Sequence, residues 1–299
     1  MFIIKYKKLF ISISVVLVLL SVASIAFFGI RWGIDFTGGS QLEVTYQTNV
    51  PTQAEVATAL KSANIESPTV QAVGDTGFVI KTRALTQTER ESALTTLKVG
   101  HADATEKSFT TIGPSVGKEL ARKSIIAMIA VILGIVFYIA YSFHRVSKPV
   151  SSWAYGLIAI VTLLHDVVIP TGIFVILSKL YAVDVDTLFV VALLTILGLS
   201  VSDTIVVFDR IRENLRSRAY DTFQATVGNS INQTFTRSIN TSATVILVLL
   251  SLVFFGPTST KIFALMLASG MFFGTYSSIF LASPLLVLWE SLQKKKKKE

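Results

Sequence analysis

Apolar residues in this chain fall into six long blocks separated by shorter polar segments. Each block can cross a hydrocarbon core of roughly 30 Å at about 1.5 Å per helical residue. The pattern therefore predicts a polytopic α-helical membrane protein with six transmembrane helices. The first lies within residues 1–30, and the other five are predicted at about 124–143, 150–177, 187–208, 238–256 and 262–289.

The segment 31–123, between the first two helices, has shorter and mixed patterns. Residues 41–46 alternate between polar and apolar, as a half-buried strand does. Thr52 with Glu55, and Thr86 with Glu89, have the spacing of capping boxes that begin two helices, the second running to about Leu97. Further strands are predicted at 69–73, 78–82 and 105–112. The order β-α-β-β-α-β predicts an α+β ferredoxin-like domain between transmembrane helices 1 and 2.

Composition and charge support a membrane protein, because 52% of the 299 residues are hydrophobic and only 15% are charged. The net charge of +8 is concentrated at segments that six crossings place on one side of the membrane, whereas the two short loops on the other side contain only Lys179 and Lys261. This bias predicts cytoplasmic termini, an extracytoplasmic domain and a basic cytoplasmic tail at 290–299, and it argues against a nucleic-acid partner. The basic residues concerned are Lys5, Lys7, Lys8, Arg145, Lys148, Arg210, Arg212, Arg216, Arg218, Arg237 and those at 294–298.

The first apolar block follows three lysines and so has features of a secretory signal peptide. It is longer than a typical signal sequence and five more blocks follow, so we interpret it as a retained anchor. The chain has no cysteine, which excludes disulfides and thiol chemistry. His101 and Asp103 lie two residues apart in a predicted loop without further ligands, which favours a surface role over a metal site. We expect no metal, no cofactor and no enzymatic activity.

Asp203 lies within the fourth apolar block. An ionised carboxylate at mid-membrane costs about 2.5–3.5 kcal/mol even on insertion scales, so it normally faces the protein interior or a water-filled cavity. We expect hydroxyls at positions 200, 202 and 204 to surround it, and Gly198 to allow close approach of another backbone. Arg237, at the start of the fifth block, is either its ion-pair partner or a positive-inside anchor. Asp209 is expected to form ion pairs at the membrane edge.

The third block contains a second polar pair, His165 and Asp166. A structural hydrogen bond between helices and a role in proton transfer remain equal alternatives for it. A helix that starts near Pro149 places Asp166 at a different depth from Asp203, whereas a start near Trp153 brings the two closer. Gly270 and Gly274 have the GxxxG spacing of a closely packed helix face.

Several stretches of this sequence together resemble the SecF family of bacterial protein-export subunits. They are GIDFTGGSQLEV, TTIGPSVGKEL, LHDVVIPTGIF, SDTIVVFDRIREN, NQTFTRSINTS and FGPTSTKIFALMLASGMFFGTYSSIFLASPLL, in that order along the chain. The resemblance implies a complex with SecD, association with the SecYEG channel, and use of the proton motive force for late-stage preprotein translocation and release across the cytoplasmic membrane.

The same resemblance implies that Asp203 is the proton-transport carboxylate, that Arg237 works with it, and that Asp166 matches a polar position of the third helix. Many relatives have asparagine before the key aspartate, where this chain has Ser202.

The alternatives are a half-unit of a proton-driven exporter of small molecules or lipids of the resistance-nodulation-division type, and a purely structural assembly factor. An intramembrane aspartyl protease, with Asp166 and Asp203 as its dyad, is disfavoured because the GxGD setting is missing.

Overall fold

The computed structural model describes residues 2–99, 103–143, 149–181 and 183–296, and these form two compact units. The transmembrane unit consists of Met1–Ile30, Ala127–Tyr181 and Leu188–Glu299, and the ferredoxin-like unit consists of Arg31–Ile126 with Ala182–Thr187. The predictions made for His101, Arg145, Lys148 and the tail residues 297–299 lie outside the described residues.

The ferredoxin-like unit contains a four-stranded antiparallel sheet in the order β2-β3-β1-β4, with two helices inserted in the β-α-β-β-α-β sequence. This confirms the predicted fold. A short helix, α3, precedes the first strand. The elements are α3 (Ile34–Thr37), β1 (Gly39–Thr45), α4 (Gln53–Ser62), β2 (Thr69–Val73), β3 (Gly77–Thr82), α5 (Gln87–Leu97) and β4 (Thr105–Ile112).

Local sequence signals account for the helix starts in this unit. The Thr52 and Thr86 side chains each accept a hydrogen bond from the backbone amide three residues on, and the Glu55 and Glu89 carboxylates accept hydrogen bonds from the amides of the same two threonines. Alternate residues of β1 point towards α4 and α5 and are buried, as the pattern predicted. The core is formed by Leu42, Val44, Tyr46, Val56, Leu60, Ile65, Phe78, Ile80, Leu85, Ala93, Leu97 and Ala104.

Two consecutive glycines join α3 to β1. Gly38 has φ +75° and Gly39 has φ +134°, which side-chain-bearing residues rarely adopt. A Cβ on Gly38 would lie 2.7 Å from Pro114 Cα, and one on Gly39 would lie 2.6 Å from the Thr82 carbonyl oxygen. Both the backbone conformation and the close packing therefore require glycine here.

The loop 183–187 is part of the ferredoxin-like unit although it lies far along the chain. Val185 forms a parallel bridge with Trp32: its carbonyl accepts from the Gly33 amide (2.8 Å) and its amide donates to the Arg31 carbonyl (2.7 Å). Lys81 Nζ lies 2.7 Å from Asp184 Oδ2, and both side chains are mostly buried. A segment that is remote in sequence thus completes the unit through backbone hydrogen bonds and an ion pair.

The described residues include six helical segments long and apolar enough to cross a membrane. This confirms the predicted number. The transmembrane unit also begins with a short helix, and its sixth crossing is interrupted by a π-helical turn. The helices are α1 (Phe2–Lys5), α2 (Lys7–Phe28), α6 (Pro114–Phe143), α7 (Ser152–Tyr181), α8 (Thr187–Arg216), α9 (Phe223–Phe255), α10 (Thr258–Ser277), the π turn (Ser278–Ala282) and α11 (Ser283–Lys296).

Three helices extend well beyond the apolar blocks that predicted them. α6 begins at Pro114 rather than near residue 124, α8 continues to Arg216 rather than ending near 208, and α9 begins at Phe223 rather than near 238. Hydropathy marks where a helix leaves hydrocarbon, whereas the helix continues as long as its backbone bonds are favourable. Thr222, whose side chain accepts from the Ala225 amide, provides the actual N-cap of α9.

Glycines allow close helix contacts, but not at every predicted position. A Cβ on Gly270 would lie 2.3 Å from Ile196 Cδ1 on α8, and one on Gly274 would lie 3.1 Å from Ser200 Cβ. The prediction for the GxxxG face is therefore confirmed. The prediction for Gly198 was wrong, because a Cβ there would meet nothing within 4 Å.

Candidate functional site in the transmembrane unit

Asp166 on α7 is completely buried, with 0% of its surface exposed. Its Oδ2 accepts hydrogen bonds from Ser200 on α8 and from Ser277 at the end of α10, the latter at 2.7 Å. Its Oδ1 lies 2.8 Å from His165 Nδ1. Three elements thus converge on one carboxylate without supplying a permanently charged partner.

Asp203 on α8 is partly buried and is held mainly by one contact. Ser238 on α9 donates to Asp203 Oδ1 at 2.6 Å. The second oxygen, Oδ2, is buried and accepts no well-formed hydrogen bond, although Ser278 lies beside the carboxylate. Among the described contacts, one oxygen of Asp203 therefore accepts a hydrogen bond and the other accepts none.

The hydroxyl groups predicted to surround Asp203 do not do so. Ser200 donates to Asp166 instead, Thr204 is hydrogen-bonded to Ser278 (2.8 Å), and Ser202 is exposed. Ser202 and Thr204 are the direct sequence neighbours of Asp203 and so project in other directions around the helix, whereas Ser200 lies on the same side but is engaged by Asp166. The hydroxyl that binds Asp203 comes from α9.

Arg237 does not form an ion pair with Asp203 among the contacts of the described residues, although it immediately precedes Ser238, whose hydroxyl donates to Asp203. Its side chain is exposed on the surface of the transmembrane unit. The exposed face of α9 around it is polar and contains Asn232, Thr236, Asn240, Thr241 and Thr244. Of these, Asn240, Thr241 and Thr244 lie within the apolar block, where an exposed polar side chain is unsuited to lipid.

The two carboxylates lie at neighbouring depths. α7 begins at Ser152, close to the later of the two starts considered, and Asp166 is bonded to Ser200. Ser200 precedes Asp203 by less than one turn, which corresponds to roughly 4.5 Å along the helix axis. The alternative that separated their depths, with α7 starting near Pro149, is therefore wrong.

His165 extends the buried polar group. Its Nε2 is buried and has no hydrogen-bond partner among the residues that the structure describes, and its ring is stacked near Tyr276, with 6.3 Å between ring centroids. Its other ring nitrogen, Nδ1, faces Asp166, so the histidine contacts the carboxylate through one nitrogen only among the described residues.

Asp209, six residues beyond Asp203, has a different environment. Its Oδ1 lies 2.8 Å from Arg212 Nη2, and its side chain is 46% exposed. The prediction that Asp209 forms an ion pair is therefore confirmed. Asp103, in the ferredoxin-like unit, accepts hydrogen bonds from the Gln47 and Thr48 amides, so it fixes a loop.

Sequence reasoning missed Ser238, Ser277 and Ser278. Serine spacing on α9 offered one signal, because Ser238 and Ser242 share a helix face with Thr234 and all three are buried. Nothing in the sequence marked the π turn that begins at Ser278. No cluster of three or more potential metal ligands occurs in the part of the chain that the structure describes.

Two family models match this chain. The model for the protein export membrane protein SecD/SecF, C-terminal, matches residues 92–292. The model for the SecD/SecF GG motif matches residues 23–50, which include Gly38 and Gly39.

Full-length similarity extends to proteins named protein translocase subunit SecF. The chain is 42% identical to that of Thermobaculum terrenum, over 97% of this chain and 94% of the relative. It is 37% identical to that of Synechocystis sp., with coverages of 95% and 93%.

Among solved structures, the fold is similar to SecDF from Thermus thermophilus, a translocon-associated membrane protein, with a TM-score of 0.83 and 30% identity. That match covers 96% of this chain but only 38% of the SecDF chain. A second SecDF structure, in a super-membrane-facing form, matches with a TM-score of 0.70 and 30% identity, over 99% of this chain and 39% of the other.

Proposed function

Since the chain belongs to the SecF family of protein translocase subunits, we propose that it pairs with SecD and uses the proton motive force to promote late-stage preprotein translocation and release. The observation that carries the proposal is the pair of neighbouring carboxylates, Asp166 and Asp203, held by hydroxyl groups within a membrane-spanning helix bundle. A hydroxyl can donate to an ionised carboxylate or accept from a protonated one, so this setting accommodates both states.

Asp203 is the carboxylate we assign to proton uptake and release. It is less buried than Asp166, and its Oδ2 is free to carry the added proton. Movement of one charge through a potential of 100 mV supplies about 2.3 kcal/mol, which is comparable with the few kcal/mol between conformational states of many proteins.

Arg237 fits a role at the surface where SecD packs. The polar stripe of α9 on which Arg237 lies continues into the apolar block as Asn240, Thr241 and Thr244, and there it gives a second membrane subunit hydrogen-bonding partners. The similar Thermus protein is one SecDF chain of which this chain spans 38%, so a SecD-type partner would supply the corresponding remainder. We propose that SecD covers this face and that Arg237 approaches Asp203 when Asp203 is ionised.

The positive-inside bias supports an orientation with both termini in the cytoplasm and the ferredoxin-like unit on the extracytoplasmic side. There the unit would contact the emerging preprotein while SecYEG conducts it. Proton-linked changes at Asp203 would then act on polypeptide that has already crossed the channel.

The test is Asp203→Asn, with Asp209→Asn as the matched control on the same helix. Each variant is co-expressed with SecD, and preprotein translocation into inverted membrane vesicles is followed with ATP, with and without a proton gradient. We expect Asp203→Asn to insert and co-purify with SecD but to lose the stimulation by the gradient, whereas Asp209→Asn retains it. Full stimulation in Asp203→Asn would refute the mechanism.

Arg237→Leu distinguishes the two interpretations of the arginine in the same assay. A defect like that of Asp203→Asn, with SecD still bound, supports a role with the carboxylate. Normal stimulation would make Arg237 a positive-inside anchor.

A further inference from the structure

The sixth membrane crossing presents two consecutive serines to two different carboxylates. Ser277 donates to Asp166 Oδ2 at 2.7 Å, and Ser278 lies beside Asp203 and is hydrogen-bonded to the Thr204 hydroxyl at 2.8 Å. Both serines are completely buried. One short stretch of backbone therefore carries a hydroxyl that is bonded to Asp166 and, at the next residue, a hydroxyl that lies beside Asp203.

The backbone at this stretch departs from the α-helix. A π-helical turn covers Ser278–Ala282, and the hydroxyl of Ser283 donates to the Ser278 carbonyl at 3.2 Å. Single π turns within α-helices occur frequently at functional sites. Here the turn begins at the residue beside Asp203 and directly after the residue bonded to Asp166.

Both serine hydroxyls also share one acceptor. The Gly274 carbonyl oxygen lies 2.9 Å from Ser277 Oγ and 3.0 Å from Ser278 Oγ. A serine has one hydroxyl proton, so Ser277 can direct it either to Asp166 or to Gly274, and Ser278 has the same choice between Gly274 and its neighbours on α8. When Asp166 is ionised, Ser277 donates to it. When Asp166 is protonated, the carboxyl donates to Ser277, which then turns its own proton to Gly274.

We propose that Ser277 and Ser278 are positioning residues that couple the protonation of Asp166 to that of Asp203 through their shared acceptor, the Gly274 carbonyl. This rests on the proposed function, in which Asp203 gains and loses a proton. The coupling transfers no proton through the serines. It changes which hydroxyl donates to which oxygen, so that the charge state of one carboxylate alters the hydrogen bonding of the other.

Other titratable or charged groups also lie near the two carboxylates. They are His165 on α7, Tyr276 on α10 and Arg237 on α9, while the buried polar side chains that α2 contributes are the serines Ser14, Ser21 and Ser24. None of these contacts both carboxylates among the described contacts, whereas Ser277 is bonded to Asp166 and the adjacent Ser278 lies beside Asp203.

The test measures protonation directly, by infrared spectroscopy of the purified full chain with SecD across a pH series. Bands of protonated carboxyl groups are assigned by their loss in Asp166→Asn and Asp203→Asn. Removing the Ser277 hydroxyl takes away a donor that favours ionised Asp166. We therefore expect Ser277→Ala to keep the Asp166 band to a pH higher by about one unit, and to move the Asp203 midpoint by a smaller, resolvable amount.

Ser278→Ala should move both midpoints as well, with the larger change at Asp203. Ser269→Ala is the matched control, because among the described contacts the Ser269 hydroxyl donates to the Met266 carbonyl one turn back in α10 and to neither carboxylate. It should leave both midpoints unchanged. Ser277→Cys keeps a weak donor of similar size and should give intermediate values, which separates hydrogen bonding from a packing defect.

Coupling is refuted if Ser277→Ala moves only the Asp166 midpoint, or if Ser269→Ala moves both as strongly. Because this readout needs no export, its failure is separable from failure of the proposed function. If Asp203→Asn showed normal gradient-stimulated export, the proposed function would be refuted, although the two midpoints could still shift together. If export were defective but the two midpoints shifted independently, only the coupling through Ser277 and Ser278 would be refuted.

Discussion

In the ferredoxin-like unit, acidic side chains pair with cations or backbone amides, whereas in the transmembrane unit Asp166 and Asp203 are held mainly by hydroxyl groups. Arg90 with Glu106 and Lys81 with Asp184 represent the first arrangement. A fixed cation stabilises only the ionised carboxylate, while a hydroxyl serves both protonation states. The first arrangement suits a domain that must keep its shape, and the second suits a site that must change its charge.

The largest expected effect comes from removing a carboxylate that is held by hydroxyl groups. Asp166→Asn retains the shape of the side chain but cannot ionise, so we expect stimulation of export by a proton gradient to fall to the level without a gradient. The matched variant is Asp184→Asn, which removes an ion-paired carboxylate from the other unit. It should retain stimulation. Equal losses in the two variants would show that the contrast between the units has no functional meaning.

A packing change should affect stability rather than charge. In Gly270→Val the new side chain would overlap Ile196, and overpacking of this kind typically costs about 1–3 kcal/mol. We expect a lower midpoint in thermal unfolding of the detergent-solubilised protein. Gly198→Ala is the control, because that position is open, and alanine in a helix should be neutral or stabilising by about 0.5–1 kcal/mol. The same loss in both variants would contradict the assigned helix contact.

A smaller effect is expected at a capping box of the ferredoxin-like unit. Thr86→Ala removes the side chain that accepts from the Glu89 amide, which should destabilise the start of α5 by about 1 kcal/mol. Hydrogen exchange of peptides from Gln87–Leu97 measures it. Thr95→Ala, in the same helix, removes only a hydroxyl bonded back to the Glu91 carbonyl and should exchange like the unmodified protein. Faster exchange in Thr95→Ala than in Thr86→Ala would show that the cap does not stabilise α5.

The smallest effect is confined to low pH. The amide of Thr48, with the Thr48 hydroxyl and the Gln47 amide, lowers the pKa of Asp103 to about 2 from its ordinary value of 3.8. Because the folded-state pKa is depressed, the contribution of Asp103 is present above pH 3.8 and is lost as the pH falls towards about 2.

Exchange of the Gln47 and Thr48 amides, corrected for intrinsic rates, should therefore lose protection across that interval. Asp103→Asn should show no such step. An identical step in the variant would assign it to another group.

The two units also differ in how accurately the sequence predicts the ends of their helices and strands. The capping boxes at Thr52 and Thr86 and the alternation in β1 are local signals, so elements of the ferredoxin-like unit were predicted almost to the residue. Hydropathy predicted the number of transmembrane helices. It did not predict where α6 and α9 begin or where α8 ends, because these helices continue beyond the hydrocarbon core.

The candidate site was predictable only in part. Asp166 and Asp203 were identified because charge within an apolar block is costly, and the structure shows that they share one neighbourhood. Their partners could not be predicted, because Ser238 and Ser277 reach them from other helices. Which side chains meet depends on helix rotation and on the π turn at Ser278, and neither leaves a local pattern.

The loop 183–187 has a consequence for the order in which the protein is made. Residues 31–126 leave the ribosome first, but the backbone partners of Arg31 and Gly33 reside in Val185, and the ion-pair partner of Lys81 is Asp184. The four strands can pair as soon as they are synthesised, yet these last bonds must wait until α7 has been synthesised. Completion of the ferredoxin-like unit is therefore a late event in biogenesis and would serve as a check that the third membrane crossing is in place.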